Sequence, residues 1–194
     1  MYNTQPIPRR FALKIIGGGL AAGTVATVPV SARSEDLARE LQTVRAATRA
    51  YRDVAVARND GYTEVSPYTP QMGFHFVNPT LIAADEAAAV DITEPPILVY
   101  ATTDDYDPDP GDDHDPDRDG DLRLAAVEFA HGGDEGPPGT PANLFSDEEA
   151  SCRLKVSEED GWEWVDGPDI TALHVWVHRE NPAGVFHPTN PTID

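Results

Sequence analysis

The chain is short of several residue types, and each shortage closes off a class of explanation. Cysteine occurs once, at Cys152, so no intramolecular disulfide can staple the fold and stability has to come from a packed core. Cys152 stands in a polar stretch with no histidine nearby, which reads as a structural or incidental thiol rather than a nucleophile. Lysine occurs only at Lys14 and Lys155; with arginine the bases number 14 against 34 acids, for a net charge of −20 at pH 7. So little positive charge excludes nucleic-acid binding, which needs clustered Lys and Arg, and excludes attraction to an anionic lipid surface. H-E-x-x-H, C-x-x-C, G-x-S-x-G and phosphate-loop patterns are all missing. The sequence therefore offers a location, a fold class and a candidate site, but no named reaction.

Among what is present, the N-terminus speaks first. Arg9-Arg10-Phe11-Ala12-Leu13-Lys14 has the order of a twin-arginine signal, followed by an uncharged segment from Ile15 to Val30 and the small-residue site Val30-Ser31-Ala32. The apolar core is too short and too rich in Gly and Ala for a good membrane span, and Gly17-Gly18-Gly19 argues against a buried globular helix. The expectation is a signal peptide at 1–32, handled by the twin-arginine translocase and cleaved after Ala32. The mature chain would then be extracellular or at the cell surface, with no transmembrane segment. The first 31 residues hold three bases and no acid, so the remainder carries 11 bases against 34 acids, a net −23. That Asp-rich, lysine-poor balance resembles salt-adapted haloarchaeal proteins, whose surface carboxylates keep them hydrated.

The rest, 33–194, suits a single domain. Ser34-Glu35-Asp36 reads as an N-cap with acids in the first turn; Leu37, Leu41, Val44, Thr48, Tyr51 and Val54 then recur at helical spacing until Asn59-Asp60-Gly61. One long helix over about 35–58 is expected. Apolar segments at 73–78, 97–102, 122–130 and 171–179 are strand-like, and Ser146-Asp147-Glu148-Glu149 predicts a short helix over about 147–155. The fold class is α+β: a mainly antiparallel sheet of about four to five strands with the long helix packed on it. Residues 104–121, with ten aspartates in eighteen positions, read as an enlarged acidic hairpin loop.

Two constellations carry chemistry. Within the loop, Asp115, Asp117, Asp119, Gly120 and Asp121 match the start of a calcium loop, with hard oxygens at alternate positions and a Gly for the turn. Position twelve is Ala126 and no helix follows, so a solvated acidic loop stands beside the calcium reading; His114 there reads as incidental. The second constellation is His75, Glu128 and His174, each embedded in an apolar strand, where an ionisable group needs a partner. If the strands are neighbours, two imidazoles and a carboxylate converge as a ligand set for zinc or non-haem iron, or as a base (Glu128) oriented by a second group. In 171–179, Leu173, Val175 and Val177 alternate with His174, Trp176 and His178, which places both histidines and the indole on one face, with Trp176 as an apolar wall. The alternative is that each histidine satisfies an ordinary partner at the edge of a core. His131, just before Gly132-Gly133, reads as loop.

The order Asp60-Gly61-Tyr62, Met72-Gly73-Phe74-His75-Phe76, Leu122-Arg123-Leu124 to Val127-Glu128-Phe129, Leu173-His174-Val175-Trp176, then Asn181-Pro182-Ala183-Gly184-Val185-Phe186 and Asn190-Pro191 resembles a family of exported bacterial and archaeal proteins without an established activity. Family members look like M-G-x-H-Y, L-x-L-x-x-V-E-Y, L-H-V-W and N-P-x-G-x-F-x-x-x-N-P, and the resemblance spans most of residues 50–191. It implies functional weight at His75, Glu128, His174, Asn181 and Asn190, with His187 at a variable position. Phe76 and Phe129 stand where the family has Tyr, and the acidic loop replaces a short turn. Read alone, Asn181-Pro182 and Asn190-Pro191 are turn formers that fix the C-terminal loop, which leaves the His174 strand and is placed to close over the same pocket. Three readings stay open: a metal-binding protein, a non-catalytic module for a small polar ligand or glycan contacted by Trp176, Asn181 and Asn190, and a calcium-stabilised surface protein.

Overall fold

The computed structural model describes residues 30–82, 91–103, 106–132, 144–145, 163–165 and 170–193. Residues 1–29 of the expected leader, the helix expected at 147–155 and Cys152 lie outside the described residues; residues 30–32, ahead of the expected cleavage point, begin the first helix.

The fold is α+β, built on one antiparallel sheet of six strands. β1 (Thr63–Glu64), β2 (Phe74–Val77), β3 (Ile97–Thr102) and β4 (Leu122–Gly132) follow one another across it; β5 (Glu163–Val165) forms the far edge, and β6 (Ile170–Val175) returns between β5 and β4. The four expected strands are the four inner ones, and β1 and β5 are short edges that sequence periodicity did not mark. β6 ends at Val175, four residues before the expected boundary.

The helical region corrects the sequence reading. Instead of one helix over 35–58 there are three pieces: α1 (Val30–Ala47), a 3-10 turn (Arg49–Arg52) and α2 (Val54–Asn59). The first helix runs through Ser34, so that residue is not its N-cap. The break is caused by local polar competition. The Thr48 hydroxyl donates back to the Val44 carbonyl (2.8 Å), and Asp53, in extended backbone, accepts from Ala55 N–H (3.0 Å) and opens a new helix. One apolar face nevertheless persists across the break, because Val44, Thr48, Val54 and Ala57 are all buried. Tyr100 Oη donates to the Tyr51 carbonyl (2.6 Å), tying the 3-10 turn to β3. The chain leaves α2 as expected, through Gly61 at φ +93.

Alternation sorts the sheet into two faces. Phe74, Phe76, Leu98, Tyr100, Leu122, Leu124, Val127, Phe129, Leu173 and Val175 make the main core with the helical pieces. The opposite face is smaller and splits into two apolar clusters, one of Val99, Ala101, Ala125, Ala126, Trp176 and Ile193, the other of Ile97, Ala130 and Ala172. Leu124 and Val127 share the core face although three residues separate them, because β4 bulges: Tyr100 faces Leu124 and Val99 faces Ala126, leaving Ala125 as the extra residue. The spacing L-x-L-x-x-V-x-F is this bulge written in sequence.

The turn before β2 is tight. Gly73 sits at φ +85, and a Cβ there would lie 2.3 Å from the Tyr100 carbonyl oxygen. Only glycine lets the backbone approach β3 so closely, which explains its place two residues before His75.

Candidate metal centre

Pairing in the sheet brings the three dispersed polar residues together. Glu128 on β4 lies directly across from His174 on β6. His75 on β2 is two strands away, opposite Val99 on β3, which faces Ala126 on β4. Two strand spacings are about 9.5 Å, which facing His and Glu side chains can bridge. His174 Nε2 is 2.6 Å and His75 Nε2 2.9 Å from the same oxygen, Glu128 Oε1. Side-chain exposure is 14% for His75, 5% for Glu128 and 2% for His174. All three ligand atoms lie within 4.8 Å of one another, and among the described residues this is the one group of three His, Cys, Asp or Glu side chains placed to hold a metal ion.

The electrostatics follow from the burial. Desolvation pushes the Glu128 carboxyl up, but the charges of His174 and His75 and their hydrogen bonds pull it down further, well below the ordinary carboxylate range.

Neighbours fix the rings. The Trp176 indole stacks on His174, centroids 6.0 Å apart and planes 15° apart, while its Nε1–H donates to the His187 carbonyl (2.6 Å). Trp176 is thus the aromatic neighbour of the His174 ring. The His75 and His174 rings meet edge to face at 6.0 Å.

His178 is a correction. It does not share the face of His174, because the chain turns out of the sheet after Val175: the free Ala125 carbonyl at the bulge accepts from both His178 N–H (3.1 Å) and Arg179 N–H (3.0 Å). His178 lands on the helical side, where its Nε2–H donates to the Thr48 hydroxyl (2.8 Å). Burial, reinforced by the nearby positive charges of Arg52 and Arg45, lowers its pKa to about 4.

Asn181 and Asn190 build the C-terminal loop. Asn181 Nδ2 donates to the Thr189 carbonyl (2.9 Å) and its Oδ1 accepts from Ala183 N–H (3.0 Å). Asn190, fully buried, donates from Nδ2 to the Glu180 carbonyl (3.0 Å) and accepts on Oδ1 from Thr192 N–H and Oγ1–H. The loop docks on the turn that carries Gly73, since Asn190 N–H donates to Gln71 O (2.8 Å) and Gln71 N–H to Ile193 O (3.2 Å). Asn78-Pro79-Thr80, which sequence reading passed over, repeats the Asn190 arrangement: Asn78 Oδ1 accepts from Thr80 N–H and Oγ1–H.

In the acidic loop, Asp115 caps a 3-10 turn (Pro116–Asp121) by accepting from Asp117 N–H. Asp121 accepts from Arg118 Nε–H (2.8 Å), and Asp119 pairs with Arg58 through two contacts (3.1 and 3.2 Å). His114, read as incidental, is an anchor: its ring is buried, Nε2 lies 3.0 Å from Asp119 Oδ1, and its N–H donates to Glu64 (2.8 Å).

No protein-family model matches the chain, and no curated protein or solved structure matches it.

Proposed function

We propose that the protein is exported by the twin-arginine pathway, loses residues 1–32, and binds one transition-metal ion through His75 Nε2, Glu128 Oε1 and His174 Nε2. The observation that carries this reading is a buried carboxylate faced by two imidazoles with, among the described residues, no Arg or Lys paired to it. A buried carboxylate is costly without compensating positive charge, and a divalent cation among the three groups would supply it.

Donors at about 2.1 Å from an ion stand about 3.4 Å apart when tetrahedral and about 3 Å apart at right angles. The contacts of 2.9 and 2.6 Å are hydrogen-bond distances that would open around either ion, and two imidazoles with one carboxylate are a donor set for zinc or iron(II) with open positions. The open positions would take a small polar ligand, with Glu128 as the nearest base if chemistry follows. The 2.6 Å contact also favours a second reading, in which His174 is protonated and the trio is a metal-free ion pair behind a binding module for a small molecule or glycan.

Metal analysis separates the two. Protein folded in concentrated salt and offered iron(II) or zinc should retain about one equivalent per chain. Retention of less than about a tenth of an equivalent of either would leave only the ion-pair reading. Calcium at Asp115, Asp117, Asp119 and Asp121 has less behind it, because three of the four already serve as a cap or as partners to Arg58, His114 and Arg118.

A further inference from the structure

We propose that Ser66 is the positioning residue of the metal centre: its hydroxyl accepts the Nδ1 proton of His75, so that Nε2 presents a lone pair to the ion. This rests on the metal reading above.

The placement follows from where β1 stops. Val65 N–H still donates to the His75 carbonyl (2.9 Å), but beyond it no strand backbone takes the N–H of His75. Ser66 Oγ accepts that N–H (3.2 Å) in its place. The same oxygen lies 3.0 Å from Nδ1 of the His75 ring. One hydroxyl is thus held by the backbone of the residue whose ring it contacts, and it retains a lone pair and a proton, so it can serve either tautomer.

His75 Nε2 lies 2.9 Å from Glu128 Oε1 and its Nδ1 3.0 Å from Ser66 Oγ, and which of each pair donates depends on the tautomer of the ring. An ion at Nε2 requires a lone pair there. The Nδ1–H tautomer would supply it, with Ser66 Oγ as the acceptor of the Nδ1–H. Such outer partners typically change metal affinity 10- to 100-fold.

The test is nitrogen NMR of the His75 ring in the full chain, with and without zinc and, separately, iron(II), alongside zinc titrations of Ser66→Ala and Ser66→Thr. The expected result is a protonated Nδ1 and a zinc-bound Nε2, affinity weakened about 10- to 100-fold in Ser66→Ala, and recovery to within about 3-fold in Ser66→Thr. Zinc on Nδ1, or equal affinity in Ser66→Ala, overturns the role of Ser66 alone. A wild-type spectrum that neither zinc nor iron(II) changes overturns the metal reading, and this inference with it. The wild-type spectra do not depend on either variant folding.

Discussion

Two carboxylates in this molecule sit between a pair of basic groups, and they differ in one respect. Asp119, in the acidic loop, is shared by Arg58 and His114. Glu128, in the sheet, is shared by His75 and His174. Burial pushes both carboxyls up and their partners pull both below the ordinary range. The arginine beside Asp119 is permanently charged, so that cluster is already neutralised, and it works as a latch holding the loop to α2. Among the described residues Glu128 is faced by two imidazoles, side chains that can also ligate a metal. A cluster closed by a fixed cation is structural; one closed by groups that can also ligate is available for function.

Substitution at the two carboxylates sharpens that contrast most. Glu128→Gln should weaken iron(II) or zinc binding by at least about 100-fold in calorimetric titration, whereas Asp119→Asn should leave it within about 3-fold. Equal losses in the two variants would erase the distinction. Next in size is Gly73→Ala, which puts a Cβ against the Tyr100 carbonyl and forces a positive φ on alanine. It should cost about 3 kcal/mol or more in urea unfolding, and metal binding with it, because the same turn sets His75. Asp119→Asn should cost about 1–2 kcal/mol, since Arg58 and His114 lose a charged acceptor at a partly exposed site.

Smallest is the effect of acid on His178. Its folded pKa is lowered from 6.5 to about 4, so the unfolded chain takes up the proton first. Stability contributed by the neutral ring is complete above about pH 6.5 and declines as pH falls toward 4. After discounting for partial exposure, wild type should lose about 1–2 kcal/mol more over that window than His178→Gln. Parallel pH profiles would show that His178 is not buried as a neutral group.

The strands that carry the site were legible because each had a titratable residue inside an apolar run, and burial is costly enough to make such residues informative. The bulge went unread, although the extra residue in L-x-L-A-A-V-E-F was its trace in the sequence. Alternation carried His178 onto the face of His174 because periodicity has no term for a strand that ends early, and only the freed Ala125 carbonyl decides where this one ends. The helix looked continuous because its buried face is continuous; the signal against it was Asp53 before Val54, an N-cap in the middle of a periodic run. His114 was passed over because its partners, Glu64 and Asp119, are distant or sit in a loop whose acids all looked alike. Ser66 gave no sequence signal, since its role depends on where β1 stops.

X-ray absorption at the metal edge of the iron(II)-loaded protein is the most direct test of the central claim. The account predicts two imidazole nitrogens and one carboxylate oxygen at about 2.0–2.2 Å, with the imidazole scattering halved in His174→Ala. A spectrum without imidazole scattering, or one that His174→Ala leaves unchanged, would contradict it.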